Sequence, residues 1–150
     1  MNHISNVIES GITSYLACED KKEKAAIKYG IKMLMRQLVL NKCWSKKAHQ
    51  VALNNNWPLD MNWYNQNKYD KGRKELLMEH KNPVEEIWQK LCASPWDTQK
   101  ILKKEIHIVW VTRKEDAELT RLGYRSKRPD SDKAYREAGI QILCSDSSAG

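Results

Sequence analysis

The stretch YDKGRKELLMEHKNP, from Tyr69 to Pro83, contains the change of pattern that decides the fold. The tetrad at 70–73 is typical of a turn, and the apolar run Leu76–Met78 is typical of a strand. Because the preceding segment 61–69 is rich in aromatic and Asn residues, the whole region predicts a β-hairpin.

The chain after this hairpin predicts a helix and then a central strand. Asn82 and Pro83 are residue types that favour a helix N-cap and first helical position, and Glu85 completes a capping-box-like start. A loop around 94–96 follows. Residues 106–111, IHIVWV, are nearly all apolar and mostly β-branched, which predicts a strand covered on both faces.

The flanking segments predict helices. Residues 4–16 and 25–40 carry apolar side chains at helical spacing, and Ser45 can cap a third helix. Thr112, which is followed by a Glu at capping-box spacing, and Asp132 can cap two later helices. The elements together predict an α+β (or α/β) fold, in which a helical N-terminal third packs on a small mixed β-sheet with flanking helices.

The length of 150 residues is close to the usual size of one domain. We therefore expect a single domain over 1–150. It divides at Pro58 into a helical part, 1–57, and a mixed sheet part, 58–144, followed by a loose tail, 145–150.

The composition points to an anionic partner. Lys plus Arg exceed Asp plus Glu, with a formal net charge of +7, which suits a partner with regularly spaced phosphates. Phe is absent, and the Trp and Tyr side chains can fill a core or stack on bases. No apolar stretch approaches the ~20 residues of a membrane span, and the N-terminus lacks a signal-peptide layout. We therefore expect a cytoplasmic protein without a membrane partner.

The cysteines are spread along the chain at positions 18, 43, 92 and 144. They form no CxxC pair and no short Cys/His spacing of the kind that binds zinc. The prediction is four reduced, buried or half-buried side chains in a reducing compartment.

The predicted strand carries the residues with the clearest chemical potential. Glu79 and Lys81 are two residues apart and so project from one face, while His80 points to the other. The helix start at Asn82 presents free N–H groups nearby, which favours a phosphate. An acid, a base and an anion-binding helix end are thus predicted on one side of the sheet.

Phosphodiester hydrolysis needs oxygen ligands for Mg²⁺, an oriented water and a nearby cation. Glu79 and Lys81 match two of these roles, and the second carboxylate would come from Asp70 or Asp60. Asp70 is closer in sequence but requires a tight hairpin, whereas Asp60 has the longer loop. The sequence does not choose between them.

Residues 58–112 here resemble the PD-(D/E)XK nuclease family, which includes restriction and repair enzymes. In that family an Asp, often preceded by Pro, is followed by a strand ending in Asp/Glu-x-Lys, a helix and another strand. The resemblance implies a Mg²⁺-dependent endonuclease in which Asp60 or Asp70 and Glu79 bind the metal, and Lys81 supports the attacking water or the transition-state charge.

A second resemblance uses the same segment. Glu79-His80 followed by Pro83 is similar to the acid-His-x-x-Pro opening of HNH nucleases, which implies His80 as the general base. That family needs a later Asn and a His or Asn on a following helix. This chain has no Asn after Asn82, and His107 lies in a predicted strand, so the HNH interpretation ranks second.

A basic segment near the C-terminal end is predicted to bind nucleic acid, DNA ahead of RNA. It combines cations that pair with phosphates and a ring that can stack on a base. Its members are Arg113, Lys114, Arg121, Tyr124, Arg125, Lys127 and Arg128. A homodimer would suit symmetric duplex sites.

Two other functions are compatible with the sequence, which leaves open whether the protein is an enzyme. One is a non-catalytic DNA- or RNA-binding regulator. Its helix-turn-helix-like pair would consist of helix two, the turn near 41–44 and the helix from Ser45. The other is a protein-interaction domain of the inhibitor or immunity type, in which charge sets only solubility and encounter rate.

Overall fold

The computed structural model describes residues 2–144, apart from the side chain of residue 2. These residues form an α+β fold with a small mixed four-stranded sheet and flanking helices, which confirms the predicted fold class. The predicted tail, 145–150, lies outside the described residues. Within 2–144 no helix has both the length and the apolar character that crossing a membrane requires.

The described residues form helices and strands that are numbered here in chain order. The helices are α1 (Asn2–Ala17), α2 (Lys21–Gln37), α3 (Lys46–Asn54), α4 (Gln66–Tyr69), α5 (Val84–Ala93), α6 (Thr98–Glu105), α7 (Arg113–Arg121) and α8 (Ser131–Glu137). The strands are β1 (Asn41–Ser45), β2 (Leu76–His80), β3 (His107–Thr112) and β4 (Ile142–Cys144). Their order in the sheet is β2-β3-β1-β4.

The backbone divides into two compact units, and each unit is built from separate stretches of sequence. The first unit consists of the described part of Met1–Leu40 together with Asn82–His107. The second consists of Asn41–Lys81 together with the described residues from Ile108 onward. The predicted division at Pro58 therefore falls inside the second unit.

The first unit is a group of helices around one apolar core. Its buried side chains come from the apolar faces of α1, α2, α5 and α6, and include Ile8, Ile12, Ile31, Met35, Ile87, Leu91 and Leu102. A Cβ atom built on Gly11 would lie 2.3 Å from Cδ1 of Ile31. The absence of a side chain at Gly11 thus allows α1 and α2 to approach closely.

The second unit has an apolar cluster on each face of its sheet. Alternate residues of β3 point to opposite faces, so that Val109 and Val111 join one cluster while Trp110 joins the other. Trp110 stacks on Trp44 of β1 with ring centroids 5.5 Å apart. All four residues from Ile108 to Val111 are fully buried, which confirms the predicted central strand.

The predicted β-hairpin is wrong, because segment 61–69 forms turns and the short helix α4 instead of a strand. Side chains of Asn62 and Asn65 accept backbone N–H groups within this segment and stabilise turns. β2 pairs antiparallel with β3 instead, with Glu79 opposite Val109. Local hydrogen bonding at the Asn residues favours turns over strand pairing.

The predicted helix-turn-helix pair is also wrong. Residues 41–44, expected to form its turn, belong to strand β1 (Asn41–Ser45), which pairs antiparallel with β4. Ser45 nevertheless caps α3 as predicted, since its side chain accepts the N–H of Ala48 at 3.0 Å.

The helix caps were predicted with mixed success. The capping box of Thr112 and Glu115 at the start of α7 is confirmed. The one at Asn82 is wrong, because the Asn82 amide donates to backbone and side-chain oxygens of Glu105 at 3.0 Å and α5 begins without a side-chain cap. At α8 the cap is Asp130, not Asp132.

A disulfide joins Cys43 and Cys144, contrary to the expectation of four reduced cysteines. The two residues are directly opposite each other in the β1–β4 register, with Cα atoms 4.3 Å apart. They are separated by 101 positions in sequence, so only strand pairing brings them together. Cys18 and Cys92 are free and half-buried.

Replacing both bonded cysteines by Ser is expected to lower the free energy of unfolding by about 2–5 kcal/mol, because the unfolded chain loses a long covalent loop. Urea denaturation with and without a reductant measures this change. Cys18→Ser is the matched control and should leave the stability unchanged. Equal sensitivity of wild type and double variant to the reductant would contradict the prediction.

Candidate nucleic-acid interface

Glu79 and Lys81 project to the same side of the second unit, as the strand spacing predicted. Tyr135 of α8 donates a hydrogen bond from its hydroxyl to Oε1 of Glu79. Lys81, just beyond β2, forms an ion pair of 2.6 Å with Asp132 of the same helix. Both contacts are with α8, which covers this side of the strand.

Arg128 links this strand end to the segment that precedes α8. Its guanidinium donates to Oε2 of Glu79 at 2.9 Å, and to the backbone oxygens of His80 and Lys81 at 3.1 Å. It also donates to the Tyr124 carbonyl at 2.6 Å. Arg128 is only 3% exposed. The guanidinium of Arg128 therefore bonds to groups inside the protein, and its predicted contact with nucleic acid stays a prediction.

Burial controls the protonation of this cluster. Loss of hydration raises the pKa of Glu79, while the Arg128 charge and the hydrogen bonds from Tyr135 and Arg128 oppose that rise. The pKa of Tyr135 is also raised, by burial and by the Glu79 charge. Glu79 is thus held between one cation and one hydroxyl donor.

The three carboxylates predicted to bind magnesium have different surroundings, and the magnesium site stays a prediction. Both Glu79 oxygens accept hydrogen bonds from Arg128 and Tyr135. The buried carboxylate of Asp70 accepts backbone N–H groups of residues 74–76, and Asp60 is exposed. Among residues 2–144, no group of three or more His, Cys, Asp or Glu side chains is arranged to hold a metal.

The two histidines of the HNH interpretation, His80 and His107, belong to different units. His80 lies on β2 next to Glu79 and so points to the opposite face of the strand. Nε2 of His107 hydrogen-bonds with the carbonyl of Lys104, 3.0 Å away in the first unit. The HNH interpretation stays a prediction.

Several predicted binding residues have internal partners. Arg121 forms an ion pair of 2.6 Å with Glu118, and the Tyr124 hydroxyl donates to Glu137. Arg125 and Lys127 are exposed beside the buried Arg128. The members of the predicted basic segment thus differ in their internal partners, and its role in binding nucleic acid stays a prediction.

Arg113 belongs instead to a surface that the sequence analysis missed. Its guanidinium donates to the backbone oxygen of Arg73 at 2.6 and 2.9 Å. The Arg73 guanidinium lies 3.4 Å from the centroid of the Trp63 ring and donates to the Trp63 carbonyl. We define the aromatic–cationic surface as Trp63, Tyr64, Lys71, Arg73, Arg113 and Lys114.

The positive charges of this surface are not neutralised by carboxylates of the described residues. Within residues 2–144, no carboxylate is in ion-pair distance of Arg73, Arg113, Lys71 or Lys114. The neighbouring Asp70 is turned inward toward backbone N–H groups. A ligand with negative charge would meet these cations without displacing a carboxylate of the described chain.

Side-chain hydrogen bonds fix the loop that carries the rings. Oδ1 of Asn62 accepts the N–H of Tyr64 at 2.9 Å, and Oδ1 of Asn67 accepts the N–H of Gly72 at 2.7 Å. Lys42 of β1 donates to the carbonyls of Leu59 and Met61 at 2.8 and 2.6 Å. The loop is thereby bonded to the sheet at its start and within itself.

The sequence contained a signal for this surface. The adjacent Trp63 and Tyr64, followed by three Lys and one Arg within residues 68–74, interleave rings and cations. The hairpin prediction treated the rings as strand residues and obscured this pattern. Comparison with known proteins found no matching family model, no similar curated protein and no similar solved structure.

Truncating Glu79 to Ala is expected to reduce the free energy of unfolding by about 3–5 kcal/mol, because it leaves the Arg128 charge buried without its carboxylate partner. Glu118→Ala, which removes the partner of the exposed Arg121, is the matched control and should produce no measurable change. Urea denaturation compares the two. Similar stability losses in both variants would contradict a special role for the buried pair.

The pH dependence of stability has a predicted sign. The pKa of Glu79 in the folded protein is raised above its ordinary value of 4.5. At a pH between these two pKa values, Glu79 is therefore protonated in the folded protein and ionised in the unfolded chain. The stability contributed by this protonation is complete below 4.5 and is lost as pH rises through that window. The free energy of unfolding of the wild type minus that of Glu79→Gln should therefore fall as pH rises from 4.5 toward neutrality. An increase of this difference over the same pH range would contradict the raised pKa of Glu79.

Proposed function

We propose that the second unit binds nucleic acid through the aromatic–cationic surface. The observation that carries this proposal is the continuous contact from Arg113 to Arg73 to the Trp63 ring. These contacts hold two guanidinium groups beside an exposed aromatic segment. Planar guanidinium groups pair with phosphate oxygens, and aromatic rings stack on bases.

Electrostatics would provide most of the affinity. The chain has a formal charge of +7, and contact between its cations and phosphates releases counterions from the nucleic acid. Arg113 and Lys114 lie at the start of α7, directly after β3, where the capping box of Thr112 and Glu115 fixes the helix start. A backbone that is fixed before binding loses less entropy when the ligand binds.

Phosphodiester cleavage stays a prediction. Along the chain, β2 is followed by the helices α5 and α6 and then by β3. Glu79 and Lys81 are engaged by Arg128 and Asp132 and do not present free groups to a phosphate. Binding is the function that this geometry supports best.

Lys114→Gln and Arg113→Gln are each expected to weaken binding to a labelled oligonucleotide at low salt. Each should also reduce the slope of log affinity against log salt by about 0.7–0.9, the effect of one lost phosphate contact. Fluorescence anisotropy over a salt series measures both quantities.

Arg121→Gln is the matched control, since that guanidinium is already paired with Glu118 in the same helix. Its slope should stay close to that of the wild type. Binding that is insensitive to salt, or equally affected by all three substitutions, would refute the proposed interface.

A further inference from the structure

We infer that the aromatic–cationic surface selects single-stranded nucleic acid, with unpaired bases stacking on Trp63 and Tyr64. This inference rests on the proposed function and specifies its substrate class. In a duplex the faces of the bases are covered by neighbouring base pairs, so an exposed protein ring has no base face to contact. In a single strand those faces are accessible.

The exposure of the two rings is the first observation in favour of stacking. Tyr64 is 78% exposed and Trp63 is 39% exposed, although both are large aromatic side chains. A single exposed ring is common on protein surfaces. Two adjacent rings, next to cations that have no carboxylate partner within residues 2–144, form the combination that single-strand binding sites use.

The second observation is the position of the cations relative to the rings. The Arg73 guanidinium lies 3.4 Å from the Trp63 ring centroid, and Arg113 donates to the carbonyl of Arg73. Arg73 therefore covers one face of the Trp63 ring, and a base would stack on Tyr64 or on the other face of Trp63. Phosphates that flank a stacked base would meet Arg73 and Arg113 without a change in the loop.

The third observation is the preorganisation of the loop. The Asn62 side chain accepts the N–H groups of Tyr64 and Asn65, at 2.9 and 3.2 Å. The Asn65 side chain returns a bond by accepting the N–H of Asn62 at 2.7 Å. These reciprocal bonds hold the backbone of the two rings before a ligand arrives, which reduces the entropy cost of stacking.

The experiment compares a labelled oligothymidylate of roughly 20 nucleotides, longer than the ~4–16 that one compact single-strand site covers, with a mixed-sequence duplex of equal length. Anisotropy titrations at low salt use wild type and Tyr64→Ala. We expect the wild type to prefer the single strand. Tyr64→Ala should weaken single-strand binding roughly 5- to 100-fold, the loss of one stacked base, while duplex binding stays unchanged.

Tyr29→Ala is the matched control, because Tyr29 is 65% exposed and belongs to the first unit. A second measurement uses tryptophan fluorescence. A base that stacks on Trp63 should quench the fluorescence of that ring. Trp63→Phe retains a ring and so should retain most of the affinity, but the single strand should no longer cause this quenching. Trp96→Phe removes a Trp that is 75% exposed in the first unit and should keep that quenching.

The outcomes separate this inference from the proposed function. If neither oligonucleotide binds at low salt, the proposed function fails, and the inference fails with it. If the duplex binds at least as tightly as the single strand, or if Tyr64→Ala behaves like Tyr29→Ala, only the single-strand inference fails. Preference for the single strand together with selective loss in Tyr64→Ala supports both.

Discussion

The buried guanidinium of Arg128 is the constraint on which the second unit depends. A charge that is 3% exposed is costly unless hydrogen bonds and an opposite charge compensate for it. Glu79 supplies the charge, and the carbonyls at the end of β2 and at Tyr124 supply further acceptors. This requirement fixes the strand end against the segment before α8. The acidic residue of the acid-x-Lys pattern, Glu79, therefore has a structural role as the partner of Arg128.

The cations of the second unit fall into two groups according to their partners. Arg128 and Lys81 are matched with Glu79 and Asp132, so their charges stabilise contacts within the unit. Arg73 and Arg113 donate to a neutral carbonyl or lie on an aromatic ring, and such contacts leave the positive charge uncompensated. Net charge alone does not distinguish these groups. The proposed interface follows from the distribution of carboxylates more than from the number of lysines and arginines.

The sequence was informative where the determinants are local. The central strand needs only its own apolar residues, and the cap of α7 needs only Thr112 and Glu115, so both were predicted correctly. β1 was missed because its pairing with β4 depends on residues about a hundred positions away. Arg128 was assigned to the surface because its partner Glu79 is 49 positions earlier in the chain. The rings at 63–64 were assigned to a strand, although the Asn side chains that form the turns bond to backbone groups only two or three positions away. This local signal was misread.

The bond between Cys43 and Cys144 closes a covalent ring that contains the second sequence segment of the first unit, Asn82–His107. A protease that cuts one peptide bond anywhere inside this ring cannot release a fragment, because the two pieces stay joined through sulfur. Nicked molecules would therefore migrate as intact chains until a thiol is added. Damage to an exposed loop would thus leave the polypeptide as a single covalent molecule for as long as its surroundings stay oxidising.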